Sequence, residues 1–169
     1  MSNYNISTID HIGDITRGIH VKTGTIANTT ALASGAYDIF TVYGRIRIIG
    51  LDIEAVTAFE ADATLVKWRF TSTTPVVGVS DISAVSLSIA SIPIGARVMW
   101  RGTAANTAPD VSATQASIAV VTDYMDVGHT SGVGTITATS SIAAQSGGSC
   151  RFNIYYLAIS EGAYVVALV

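Results

Sequence analysis

Arg45-Ile46-Arg47-Ile48-Ile49-Gly50-Leu51-Asp52-Ile53-Glu54-Ala55-Val56-Thr57-Ala58-Phe59 alternates apolar and polar residues at a period of two, the pattern of a strand with one buried face. The period breaks once. Up to Ile48 the apolar residues fall on even numbers, and from Leu51 onward they fall on odd numbers. A slip of one residue turns an apolar face out to water. An extra residue at Ile49-Gly50, a β-bulge, keeps it inward and is predicted here.

The composition extends this reading to the whole chain. Its 169 residues contain 20 Ile and 17 Val against 6 Leu, with 20 Thr, 17 Ser, 3 Glu and 2 Lys. β-branched side chains lose rotamer freedom in helices and fit the pleated surface of strands. An all-β fold follows. A single domain of this length buries roughly two thirds of its unfolded surface, enough to stand without disulfides or metals.

The remaining segments read as strand, turn, strand. Candidates are 19–26, 36–43, 64–70, 85–89, 96–100, 117–122, 134–139, 150–159 and 164–169, with Pro75 and Gly78 placed in a turn and 102–116 in a long polar loop. Short strands punctuated by Gly, Pro, Asn and Asp predict an antiparallel β-sandwich, jelly-roll-like in arrangement. Residues 1–17 differ: Ile6, Ile9, Ile12 and Ile15 recur every third residue, which fits neither a helix stripe nor a strand. They are read as an extended N-terminal arm whose isoleucines contact a neighbouring subunit, ahead of one β domain over 18–169.

Several function classes lose their basis. A net charge of −3 gives no basic field for nucleic acid. No apolar run reaches the length of a membrane helix, so no membrane role is expected. The start Met1-Ser2-Asn3-Tyr4-Asn5 lacks the pattern of a signal peptide, and synthesis in a reducing cytosol is the expectation. The lone Cys150 lies in an alternating strand, where an inert buried thiol is expected. His11, His20 and His129 stand in no catalytic motif, so no enzyme is predicted. Asp10, His11 and Asp14, and again Asp123, Asp126 and His129, offer metal-ligand atoms, but turn chemistry accounts for the aspartates and no metal or other cofactor is assigned.

Three features point to binding. With 12% charged and 49% hydrophobic residues, part of the surface is expected to be covered by other copies or another protein. Arg45 and Arg47 share one face with no acidic residue between them. They read either as a solvated strand face or as a contact to carboxylates on a partner. Among the aromatics, Trp68 sits on an apolar strand face and is assigned to the core. Trp100, beside Arg101-Gly102 at a strand end, is a candidate exposed platform for a sugar ring. Tyr155 and Tyr156 point to opposite faces, and the outward one, Tyr155, is the second candidate glycan contact.

Three stretches taken in order also resemble a group of small bacteriophage virion proteins assigned as capsid decoration (cement) proteins. They are Tyr37-Asp38-Ile39-Phe40-Thr41-Val42-Tyr43-Gly44 running into Ile46, Ile48 and Leu51; Pro75 and Gly78 followed by Asp81-Ile82; and Tyr156-Leu157-Ala158-Ile159-Ser160-Glu161-Gly162-Ala163-Tyr164-Val165-Val166. The resemblance covers about three-quarters of the chain, from near Gly18. Tyr43-Gly44-Arg45 holds less glycine and proline than the group's turn, and the arm has no counterpart in it. The resemblance implies a β-sandwich on the outside of an icosahedral shell, a homotrimer at threefold positions. Its partners would be further copies of itself and the major capsid protein, and it implies no catalytic residues. The competing expectation is a receptor- or glycan-binding virion module such as a head fibre or tail tip.

Overall fold

The computed structural model describes residues 18–33, 35–100, 109–112 and 125–169. Among them the β-branched sequence forms β1 (Ile19–Lys22), β2 (Ile26–Ala27), a one-turn helix α1 (Asn28–Ala31), β3 (Gly35–Tyr43), β4 (Ile46–Thr57), β5 (Thr64–Thr74) and β6 (Val76–Asp81). Six more strands follow: β7 (Arg97–Trp100), β8 (Asp110–Ser112), β9 (Met125–Val127), β10 (Val133–Ile142), β11 (Ser149–Ala158) and β12 (Tyr164–Ala167).

The strands make two antiparallel sheets. The larger runs β1-β11-β4-β7-β8, with β2 also on β11 and β9 also on β4; the smaller runs β12-β3-β10-β5-β6. Between consecutive described strands the chain changes sheet seven times, from β2 to β3, β3 to β4, β4 to β5, β6 to β7, β9 to β10, β10 to β11 and β11 to β12, so both inner faces are built from interleaved segments. Between them lies one core. Ile48, Leu51 and Ile53 of β4 and Ile154 of β11 share it with Phe40 and Val42 of β3, Val66 of β5 and Ile136 of β10. Trp68 of β5 meets Phe152 of β11 edge-on at 5.7 Å between ring centres, joining the two sheets. The fold is an all-β sandwich.

The predicted bulge is present. Gly50 lies opposite Tyr155 and Ile48 opposite Tyr156, leaving Ile49 as the extra residue, so the even-numbered and odd-numbered apolar residues share one inner face. The turn from β3 to β4 uses Gly44 at φ +77°, where a Cβ would meet the Ser160 hydroxyl and the Ala163 methyl.

Elsewhere the local pattern misleads. The stretch 19–26 is not one strand: β1 stops at Lys22, and β2 and α1 follow. Val76, Val77 and Val79 make a strand, β6, where Pro75 and Gly78 suggest only a turn. Val85–Ile89 alternates in sequence but forms no strand. It belongs to a strap over residues 82–92, whose Ser83 and Ser86 copy a missing strand. Ser86 N donates to Val66 O at 2.8 Å while its Oγ accepts from Val66 N at 2.9 Å. Ser83 Oγ likewise accepts from Trp68 N at 3.0 Å, and Ile89 N donates to Thr64 O. Three strap residues thus span two residues of β5, a stride that an extended ladder cannot make. Ile82, Ile89 and Ile92 then drop into the core.

The arm residues 1–17 with Ile6, Ile9, Ile12 and Ile15, and the candidate strand 117–122, lie outside the described residues. Among the described residues no helix is long and apolar enough to cross a membrane.

Candidate functional site: a polar array on the outer face of the larger sheet

Alternation along β4 and β11 sends Asp52, Glu54, Asn153 and Tyr155 away from the core, and register places Asp52 beside Asn153. β1 brings His20 opposite Tyr155, and β7 brings Arg97 opposite Glu54. Four strands from distant parts of the chain therefore assemble one cluster. Asp52 Oδ1 accepts from Asn153 Nδ2 at 2.6 Å, and Oδ2 accepts from Arg97 Nη1 at 3.2 Å. The other end of the Asn153 amide, Oδ1, stands 2.9 Å from His20 Nε2, so the network assigns the proton to Nε2. The His20 ring stacks on Tyr155 at 4.5 Å with 6° between planes. Arg97 also reaches the Tyr155 hydroxyl at 3.5 Å and pairs with Glu54 at 3.6 Å.

Asp52 and Asn153 are buried and His20 is exposed, so the cluster grades from a dry base to a wet rim. Burial raises the Asp52 carboxyl above its ordinary value, against the opposing pull of Arg97 and Asn153. Both its oxygens are occupied. Asp52 therefore orients Asn153 and Arg97 and is not placed to accept a substrate proton. What the array presents outward is an imidazole on a phenol ring and a guanidinium, groups that bind by stacking and hydrogen bonding.

Arg45 and Arg47 lie on the same outer face, toward the start of β4. The carboxylate they bond belongs to this chain: Asp126 of β9 stands opposite Arg47, accepting at 2.8 Å from Arg47 Nε and at 3.3 Å from Arg45 Nη2. The expected face without an acidic residue is thus corrected, because β9 brings Asp126 onto it from 79 positions away.

Trp100 is a core residue. Only 1% of it is exposed, on the inner face of β7 opposite Leu51, so it offers no platform for a sugar. Of the two aromatics proposed as glycan contacts, Tyr155 alone reaches the outer face, while Tyr156 points inward as its opposite parity predicts. Burial pushes the Cys150 thiol up to about 12, the state of an inert core sulfur. Asp126 of the second metal-ligand set is held by two arginines; Asp123, Asp10, His11 and Asp14 lie outside the described residues. Among the described residues no group of three or more His, Cys, Asp or Glu side chains converges on a metal position.

The sequence alone does not single out the array of His20, Asp52, Arg97 and Asn153. Its available signal is that Asp52 and Glu54, and Asn153 and Tyr155, occupy the outward parity of their strands. Which strands are neighbours is not written in that parity. No family model, curated protein or solved structure matches the chain.

Proposed function

We propose that this chain is a phage virion structural protein that associates with copies of itself and binds the outside of the capsid, reinforcing it. The observation carrying this reading is the combination of an antiparallel sandwich with large apolar residues left exposed at its margins, Val76, Val77, Leu87, Val166 and Leu168 among them. A surface this apolar marks contact with other protein. The strand order gives further support. With β12, β2, β8 and β9 set aside, the orders β1-β11-β4-β7 and β3-β10-β5-β6 support a jelly-roll reading, an arrangement that viral capsid and lectin domains use. The resemblance to decoration proteins points the same way.

The action proposed is mechanical and calls for no catalytic residue or cofactor. Contacts spread across subunit junctions raise the free energy needed to part them, and symmetric repetition multiplies weak contacts by avidity. A homotrimer at threefold positions, bound to the major capsid protein, is the proposed arrangement. The test is the copy number of the chain in purified virions, measured by quantitative mass spectrometry against the major capsid protein. A number comparable to that of the shell subunit supports decoration. A few copies per particle place the chain on a fibre or tail tip, and absence from the particle overturns the reading.

The His20–Tyr155 stack favours a second reading, a receptor- or glycan-binding virion module. It predicts binding on a glycan array that Tyr155→Ala abolishes. An array without signal rejects it.

A further inference from the structure

Apart from Ile94, Ile142 and Ile159, the exposed large apolar residues among the described ones gather on two opposite sides of the sandwich. On one side β6 forms the margin of the smaller sheet. Val76, Val77 and Val79 are exposed to 84, 77 and 60%, and the strap below adds Val85 and Leu87. On the other side β12 forms the opposite margin of the same sheet, with Tyr164, Val166 and Leu168 exposed and Ile19 of β1 nearby. Three strands separate the two margins, four strand spacings or about 19 Å.

Both sides are almost free of charge. From Phe70 to Ala96 the only charged residue is Asp81, and it is bonded to Lys67 and Arg69 at 2.5 and 3.1 Å. From Phe152 to Val169 the only charged side chain is Glu161, and neighbouring β1 adds Lys22. Depletion of charge is what sets the centre of a protein interface apart from ordinary surface. An unprotected apolar edge strand is also the feature that natural proteins avoid unless it is covered.

The two sides differ in construction. Among the described residues the β6 side is an open edge, whereas the β12 side is already stitched, with Val165 N donating to the Tyr156 hydroxyl and Gly24 N donating to Val169 O. Two unlike patches on opposite margins of one molecule are what a head-to-tail contact between identical copies requires, and such a contact closes into a ring when its rotation permits. A foreign partner would need one patch only. Neither patch carries the charge that would select an oppositely charged partner or repel a copy of the chain.

We propose that copies of this chain associate head to tail, the β6 side of one packing against the β12 side of the next. This rests on the self-association in the reading above and not on the place in the virion. The test uses the full chain and two surface variants, Val77→Asp and Val166→Asp, with molar mass read by light scattering at micromolar concentration. Circular dichroism checks that each variant is folded; Val76→Asp and Leu168→Asp replace any that is not. The parent is expected to be an oligomer and each variant a monomer. Each variant keeps one intact side, so an equal mixture of the two is expected to give a particle of twice the monomer mass and nothing larger. With so few charges buried, the parent's mass is expected to persist in high salt.

A monomeric parent overturns the proposal. So does loss of assembly in Val77→Asp with Val166→Asp unaffected, which would mean β6 pairing with itself, and so does a mixture that stays monomeric. A monomeric parent found in shell-like copy number on virions would overturn head-to-tail assembly and the self-association it rests on, and leave the place on the virion standing.

Discussion

Asp126 holds two arginines at once, and its consequences are those of a single carboxylate. Its hydrogen bond to Arg47, with the charges of Arg47 and Arg45, keeps it below the usual carboxylate range. An acid lowered in the fold stabilises the protein above its unfolded value and loses that contribution as pH falls through its folded value. Asp126→Asn is therefore expected to cost about 0.5–1 kcal/mol near neutral pH, the scale of a partly exposed ion pair. The difference from the parent should vanish in strong acid, as followed by urea unfolding at a series of pH values. A difference independent of pH would mean that packing, not charge, is at stake. Asp52 works in the opposite direction. Burial raises it, so the folded chain keeps a proton that the unfolded chain has released. Its contribution declines as pH rises from the ordinary carboxylate value through its raised one.

At the scale of elements, the strap over 82–92 shows how serine substitutes for a strand. Removing the Ser86 hydroxyl leaves Val66 N buried without its acceptor, and Ser83→Ala does the same to Trp68 N. Each substitution is expected to cost about 1–3 kcal/mol, read as a lower urea midpoint with an unchanged slope. A loss under a few tenths of a kcal/mol would show that water replaces the hydroxyl. This element also marks where sequence reading stops. The bulge at Ile49 is legible because a change of parity is local and has one geometric remedy. Val85-Ser86-Leu87-Ser88-Ile89 has the same alternation, yet what decides its conformation is a pair of hydroxyls reaching β5, and alternation does not encode them. Trp100 reads as a strand-end aromatic because its burial depends on packing between the sheets. The array around Asp52 needs β1, β4, β7 and β11 side by side, a matter of strand order. Composition decides the fold class; long-range pairing decides the site.

At the scale of the whole molecule, the buried core among the described residues is built from residues between Ile26 and Val165. On the reading of residues 1–17 as an arm outside the β domain, a chain shortened to residues 18–169 is expected to keep its thermal midpoint. On the proposed function it should also bind capsids more weakly, because it lacks Ile6, Ile9, Ile12 and Ile15. Co-sedimentation with capsids lacking the protein, beside a melting curve, checks both halves. Unchanged attachment would remove the arm from the interface.

The pairing of β5 with the strap has a further consequence, in the currency of solvent exchange. Over Thr64 to Trp68 this strand has a ladder partner on one side only, β10, and irregular chain on the other. Amides so placed ordinarily trade deuterium quickly. Here Val66 N and Trp68 N are each capped by a buried hydroxyl, so their protection is expected to match that of the central strands and to fall in Ser83→Ala and Ser86→Ala. Towards water, the strap makes a margin of the sheet behave as its middle.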